Sequence, residues 1–392
     1  MNTQNTPVHV RLWHRDFWLL AISNMLLAVS VYMMIPTLPV WLVREENFSP
    51  VEVGLSMGVF AVGLFLFGAF CTWLVQRYRR NHVCIWSIVG MIASISILYY
   101  AEGLHSEFTE LWVILLQRLL LGATFGLAQM VLSSTLIIDV CESDKRTEAN
   151  HSAAWFSRFA LSLGPFLGLL LFRLAGFEWV LLASLGCAVV AVVLILVVNF
   201  PFRTPSDTLR IVSLDRFFLT GSMPLFLNLL LIATAVGMLL TLNLSDRFYG
   251  LVMVGFLLAL LAQRFVFRDA DLKSEIVSGL VLLLAVQLMA YTHPLPVVWY
   301  VGPVLLGLSV GIICSRFLLF FIKLSRHCQR GTSQSTCFLA WEGGLALGLG
   351  LGYALFSTDQ SSLLITSILL AALALLLYNN YTHRWFLNHK NR

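Results

Sequence analysis

The chain has 392 residues, 59% of them hydrophobic and only 11% charged, with a formal net charge of +5 and a mean hydropathy of +0.85. Soluble domains are about 25% charged, so this composition excludes a soluble globular protein. The basic residues sit in short loops between apolar runs, not in a patch that would bind nucleic acid, and seven scattered cysteines without a CxxC pair suggest neither a disulfide framework nor a zinc site; no cofactor is expected.

Twelve apolar runs follow in order, at residues 17–43, 53–75, 83–101, 111–138, 151–172, 179–200, 218–241, 249–267, 276–292, 296–322, 335–356 and 361–381. Each can cross a hydrocarbon core of about 30 Å as a helix. The polar stretch Met1 to Asp16 precedes a first run too long for a signal-peptide core, so that run is read as a retained span. The break in the middle is 201–216, with Pro201, Pro205, Asp207, Asp215 and three arginines, a linker composition. The expected fold is an all-α membrane protein. A six-helix bundle over 1–200, a linker over 201–216 and a second six-helix bundle over 217–392 would make two pseudo-symmetric halves.

Lys and Arg placement sets the expected orientation. With both termini cytoplasmic, the inside segments hold 19 of these residues and the outside segments three; Arg118, Arg158 and Arg316 fall inside spans.

The fifth and eleventh spans repeat each other. A shift of 184 residues lays Arg146 on Arg330, Arg158 on Glu342, Ala160 on Gly344, Gly164 on Gly348 and Gly168 on Gly352. Each copy begins in a charged loop, carries one ionisable residue about two turns into the span, and then shows small residues every fourth position. The small rows, including Gly344, Gly348 and Gly352, suit close helix packing. They lie about 120° around the helix from the charged position, which leaves that face free to meet a cavity. The first and seventh spans show a weaker echo, with Asn24 on Asn228. Duplicated apolar halves with a buried charge at matching positions are the pattern of a secondary transporter.

Local signatures add to this. Gln76-Arg77-Tyr78-Arg79-Arg80-Asn81 follows the second span, Arg118, Gly122 and Gly126 lie on the fourth, and Gly164-Pro165-Phe166-Leu167-Gly168 on the fifth. In this order along twelve spans the chain resembles the major facilitator superfamily. The loop is similar to that family's basic loop motif in degraded form, with Gln76 where an acid is usual. The fourth-span arginine and glycines resemble its arginine motif, and the Gly-Pro segment its antiporter signature. Arg330-Gly331-Thr332 with Ala340-Trp341-Glu342 is similar to a bacterial permease and efflux subgroup. The resemblance implies alternating access in a bacterial cytoplasmic membrane and leans toward export by antiport. The expected partners are the lipid bilayer, a small-molecule substrate and protons, with the chain acting as a monomer.

Charge inside a bilayer is costly, from about 2.5 kcal/mol upward, and usually faces an interior or a cavity. Glu342 is the acid deepest in any span, placed about 10 Å from the cytoplasmic end. A carboxyl held between desolvation and a neighbouring arginine can carry a proton; the alternative is a structural contact. Arg158 is expected at matching depth, approaching Glu342 when the cytoplasmic side closes. Arg118 is read as a cavity arginine or as one snorkelling outward, and Arg316 as snorkelling inward. Trp155 and Trp341 flank the charged positions, to stack on a ligand or to pack. Asn24, Asn228 and Gln129 would contact substrate or tie helices together.

Two other functions compete. An intramembrane enzyme needs a clustered nucleophile and base, but the histidines lie in loops, tails and span ends, and neither HExxH nor GxSxG occurs. A non-transporting sensor or scaffold would use the same fold.

Overall fold

The computed structural model describes residues 12–103, 110–142, 145–200, 210–267, 270–292, 296–326 and 329–390, and these form helices and connections without a strand. Twelve helices are long and apolar enough to cross a membrane: span 1 (Arg15–Arg44), span 2 (Pro50–Arg77), span 3 (Arg80–Ala101), span 4 (Leu111–Asp139), span 5 (Arg146–Ala175), span 6 (Phe177–Val197), span 7 (Thr220–Leu239), span 8 (Asp246–Phe265), span 9 (Leu272–Thr292), span 10 (Pro296–Leu324), span 11 (Arg330–Phe356) and span 12 (Gln360–His389). Their outer surfaces leave large apolar side chains such as Val62, Leu196, Leu261 and Leu369 exposed, as lipid-facing helices do. The even count puts both described ends on one face, together with Arg79, Arg210 and Arg326. This is called the basic face below.

Local chemistry sets several ends. Ser49 and Glu52 close a reciprocal capping box with Pro50 in the first turn of span 2, which satisfies amides that no carbonyl can reach. Asp359 caps span 12 through the Ser361 and Ser362 amides. The Ser362 hydroxyl and these amides hold its carboxyl below the usual carboxylate range.

Span starts differ from the hydropathy reading. Spans 5 and 11 begin at Arg146 and Arg330, so the expected charged loops are first helical turns. Polar side chains there occupy the interface, where hydropathy is silent but the helix is already formed. Arg158 and Glu342 each lie twelve residues from those starts, or about 18 Å rather than 10 Å along the axis. Of the expected linker, residues 201–209 lie outside the described residues.

Packing repeats with a shift of six spans. Spans 1–5, 1–6, 2–4, 3–4 and 3–6 pack together, as do 7–11, 7–12, 8–10, 9–10 and 9–12. The small rows explain two of these pairs. A Cβ on Gly164 would meet Tyr32 at 2.7 Å and one on Gly168 the Met33 carbonyl at 2.4 Å, while a Cβ on Gly344 or Gly348 would meet the Leu230 or Thr234 carbonyl of span 7 at 2.6 or 2.2 Å. Gly122 and Gly126 press on Phe60 and Leu64 of span 2, and Gly255 on Gly307 makes the matching contact between spans 8 and 10.

The halves meet on both sides of the interior. Away from the basic face, span 2 crosses span 11: a Cβ on Gly350 would lie 2.9 Å from the Gly58 Cα, and one on Gly54 2.5 Å from the Ala354 Cβ. Ser162 donates to the Tyr249 carbonyl at 2.5 Å, and Arg173 pairs with Asp246 at 3.0 Å, both joining spans 5 and 8. On the basic face, Gly331 of span 11 packs on the Ser134 carbonyl of span 4, and His151 of span 5 bonds Ser315 of span 10 at 2.7 Å. The segment before span 7 adds a strut. The Arg216 and Leu219 amides donate to Thr332 and Thr336 of span 11, each at 2.8 Å. From the other half, Thr72 donates to the Asp215 carbonyl.

Contact between small residues of spans 2 and 11 joins the halves on the side away from the basic face. Gly350→Leu should wedge it open. In a chain with Cys337 as its only cysteine, N-ethylmaleimide should label that interior residue about tenfold faster than in the Gly350 parent, the factor given by about 1.4 kcal/mol. An unchanged rate would show that this contact does not hold the side shut.

Candidate functional site

Span 1 breaks at Met33 between Tyr32 and Met34. Pro36 has no N–H for the Tyr32 carbonyl four residues back, and its ring crowds that position. Tyr32, next to this break, is 3% exposed. Its hydroxyl donates to Glu342 Oε1 of span 11. Tyr32 belongs to the first half and Glu342 to the second, so this hydrogen bond crosses between them.

Both residues line a cavity of about 80 Å³ between the halves. The first half contributes Asn24, Gln129, Ser133, Ser157 and Arg158; the second contributes Cys314, Gln334, Cys337, Phe338 and Trp341. Ser133 lies in a π-helical turn, Leu132–Leu136, near the end of span 4. Such turns arise where the i→i−4 ladder is interrupted and often mark functional positions.

Asn24 and Gln129 tie this wall together. Asn24 Nδ2 donates to the Ala153 carbonyl at 3.2 Å and to Ser157 Oγ at 2.6 Å, and Gln129 Nε2 donates to the Asn24 carbonyl at 3.3 Å. Spans 1, 4 and 5 are thereby locked by side chains that also face the cavity.

No direct contact joins Arg158 and Glu342, although the halves touch on the basic face. Both line the one cavity, but no ion pair joins them. Arg158 instead lines the cavity with Cys314 and Cys337, lies over the Trp155 ring at 4.8 Å from its centroid, and keeps Nη1 buried without a partner. Glu342 takes its hydrogen bond from span 1, the helix beside it.

Other expected positions lie elsewhere. Arg118 does not line this cavity; its Nε donates to the Ser56 carbonyl at 3.3 Å and its guanidinium lies over Phe60 at 4.9 Å. It braces span 4 on span 2 and does not snorkel, being 4% exposed. Asn228 donates to the Ala374 carbonyl of span 12 at 3.0 Å, so its echo of Asn24 does not extend to the cavity. Trp155 sits behind Arg158, its ring against Gly311. Arg316 does not snorkel either: it binds Glu275 at 2.6 Å. Span 9 begins at Leu272, four residues before the reading from hydropathy, which brings the buried Glu275 into its first turn. Arg80 pairs with Asp139 at the end of span 4. Arg77 is exposed and lines a surface pocket with His82 and Trp86 on the basic face. Arg146 has a buried Nε without a partner. Pro165 lies within span 5 between the two glycines that pack on span 1.

Tyr32, Gln334, Cys314 and Cys337 escaped the sequence reading. Tyr32 was legible as the residue two turns beyond Asn24 on one face of span 1. Gln334 and Phe338 share the face of Glu342 at four-residue steps. The late start assigned to span 11 cut that face short.

The family model described as Major Facilitator Superfamily matches residues 20–262. The chain belongs to the Major Facilitator Superfamily. No curated protein matches it. Solved structures share the fold of this superfamily member. The human organic anion transporter MFSD10 (TETRAN) superposes with a TM-score of 0.70 at 16% identity, over 92% of this chain and 98% of that one. A POT family peptide transporter in an auto-inhibited state gives 0.68 at 12%, over 97% and 98%. A bacterial homologue of the iron transporter ferroportin, outward-facing, gives 0.65 at 17%, over 95% and 99%. The protein is therefore an integral membrane protein with a transporter fold.

A buried carboxyl that loses its donor costs about 1–3 kcal/mol. Tyr32→Phe should lower the unfolding free energy in detergent by that amount, and much less in a Glu342→Leu background, because contacting residues are coupled. Equal losses in the two backgrounds would show that Tyr32 does not act through Glu342.

Proposed function

We propose that this superfamily member is a proton-coupled secondary transporter of a small solute, working by alternating access. Glu342 is the proton-bearing group. The basic face is cytoplasmic, by the excess of Lys and Arg in its connections, and the membrane is a bacterial cytoplasmic membrane. The protein works as a monomer. Residues 1–200 and 217–392 rock about the cavity, with 201–216 as the linker.

The observation that carries this reading is the hydrogen bond from Tyr32 to Glu342. It joins a buried carboxyl, the sole carboxylate lining the cavity, to the opposite half of the fold. A charged carboxylate can only accept; a protonated one also donates and carries no charge. Adding a proton therefore changes the strength of a contact between the halves, and a difference in contact between two states is what allows a ligand to shift their populations. The Gly164-Pro165 segment, similar to the antiporter signature, supports export. Arg158 acts beside Glu342 on the other wall, and a substrate can bridge the two where they do not touch.

Glu342→Gln keeps the shape of the side chain and removes its titration. In proteoliposomes, flux of a stabilising ligand should follow an imposed pH gradient with the wild-type protein. The variant should lose that dependence while ligand exchange at equal pH persists. Flux that still follows the gradient in Glu342→Gln would remove this residue from coupling.

A further inference from the structure

We propose that the cavity selects a small organic monoanion that also carries a hydrogen-bond donor, with the Arg158 guanidinium as the seat of its negative charge. This rests on reading the cavity as the transport site and names its substrate class.

The argument begins with the charges. Arg158 and Glu342 are the charged residues lining the cavity. Glu342 already accepts from Tyr32. Arg158 lies over the Trp155 indole and shares the cavity wall with Cys314 and Cys337, without an ion pair among the described residues. A guanidinium has five donors in a planar fork. Stacking on Trp155 occupies its face and leaves the edges for hydrogen bonds, yet Nη1 has no acceptor. A buried charge without a counter-charge is expensive, and a carboxylate matches the geometry of the fork.

The neighbouring arginines cannot share the work. Arg316 is held by Glu275, and Arg118, whose Nη1 is also buried without a partner, lies outside the cavity against the Ser56 carbonyl and Phe60. One available guanidinium suits one negative charge, which disfavours a dianion such as inorganic phosphate. A cationic solute would meet the field of Arg158 and find the carboxylate already engaged.

Two acceptors define the second requirement. Asn24 Oδ1 and Gln334 Oε1 are buried without partners. The Asn24 amide cannot simply flip, because its Nδ2 is fixed by Ala153 and Ser157. A hydroxyl or amide N–H on the solute would satisfy an orphan acceptor. Leu161, Leu229, Val310, Phe338 and Trp341 supply apolar wall for a hydrocarbon or aromatic body.

The test uses three matched probe sets on the full-length protein in detergent. Lactate and para-hydroxybenzoate are compared with their amides and with isopropanolamine and para-hydroxybenzylamine. Binding is read by thermal stabilisation and by slowing of N-ethylmaleimide labelling at Cys337. At least one acid should bind at least about tenfold more tightly than its amide, the factor for about 1.4 kcal/mol, with no effect of the amines. Arg158→Gln should abolish the difference and Arg158→Lys should keep part of it. The labelling readout on wild-type protein stands even where a variant fails to fold. Equal effects of acids and amides, stronger effects of amines, or acid binding that survives Arg158→Gln would overturn the proposal. Acid binding through Arg158 together with gradient-driven flux that persists in Glu342→Gln would fail the coupling reading and leave this one standing. Proton-coupled flux with amine selectivity would do the reverse.

Discussion

A carboxyl far from water must find a donor, and in this fold the donor comes from the other half. That constraint organises the interior. Span 1 is interrupted at Met33, beside the Tyr32 whose hydroxyl reaches span 11. Span 11 has to present Glu342 toward span 1 while packing its neighbouring face on span 7. The face two turns further on, Gly350 and Ala354, closes on Gly54 and Gly58 of span 2. One helix thus carries both the polar contact at the centre and the small-residue seal away from the basic face.

Glycine makes the rest possible. In lipid, helices gain little from apolar burial against each other, so close backbone approach and dispersion contact hold them. The pairs 1–5 and 7–11, and 2–4 and 8–10, all rest on such approaches. Within each half these contacts favour rigid bundles. Between the halves the contacts are fewer and more varied: glycine on glycine, one surface ion pair, a histidine to a serine, and the strut at 213–219. Sliding interfaces are expected where polar contacts can be exchanged.

Much of this was legible in the sequence. Twelve spans and a duplicated pair of helices follow from hydropathy and from the spacing of Gly164, Gly168, Gly348 and Gly352, because a lipid environment leaves few alternatives to apolar helices with small packing faces. Partners were less legible. Hydropathy ended spans 5, 9 and 11 too late at their starts, since polar first turns sit in the interface. That hid Glu275 as the partner of Arg316 and Gln334 as a cavity residue. Arg158 and Glu342 repeat each other in sequence, but opposite charges at matching positions do not imply contact. Rotation of each helix about its axis decides that, and rotation is set by packing against spans 1 and 7. Tyr32 was missed because a tyrosine in an apolar run reads as core until its hydroxyl has a named acceptor.

The central claim is that the two halves alternate about the Tyr32–Glu342 contact. The direct measurement is pulsed electron–electron resonance with two label pairs, Val51 with Ser357 away from the basic face and Tyr78 with Arg326 on it, all exposed positions. Each pair joins the first half to the second. Across a pH titration the account predicts two distances at each pair whose populations shift in opposite directions, and no shift in a Glu342→Gln background. A single unchanging distance at both pairs, or shifts of the same sign on the two faces, would contradict it.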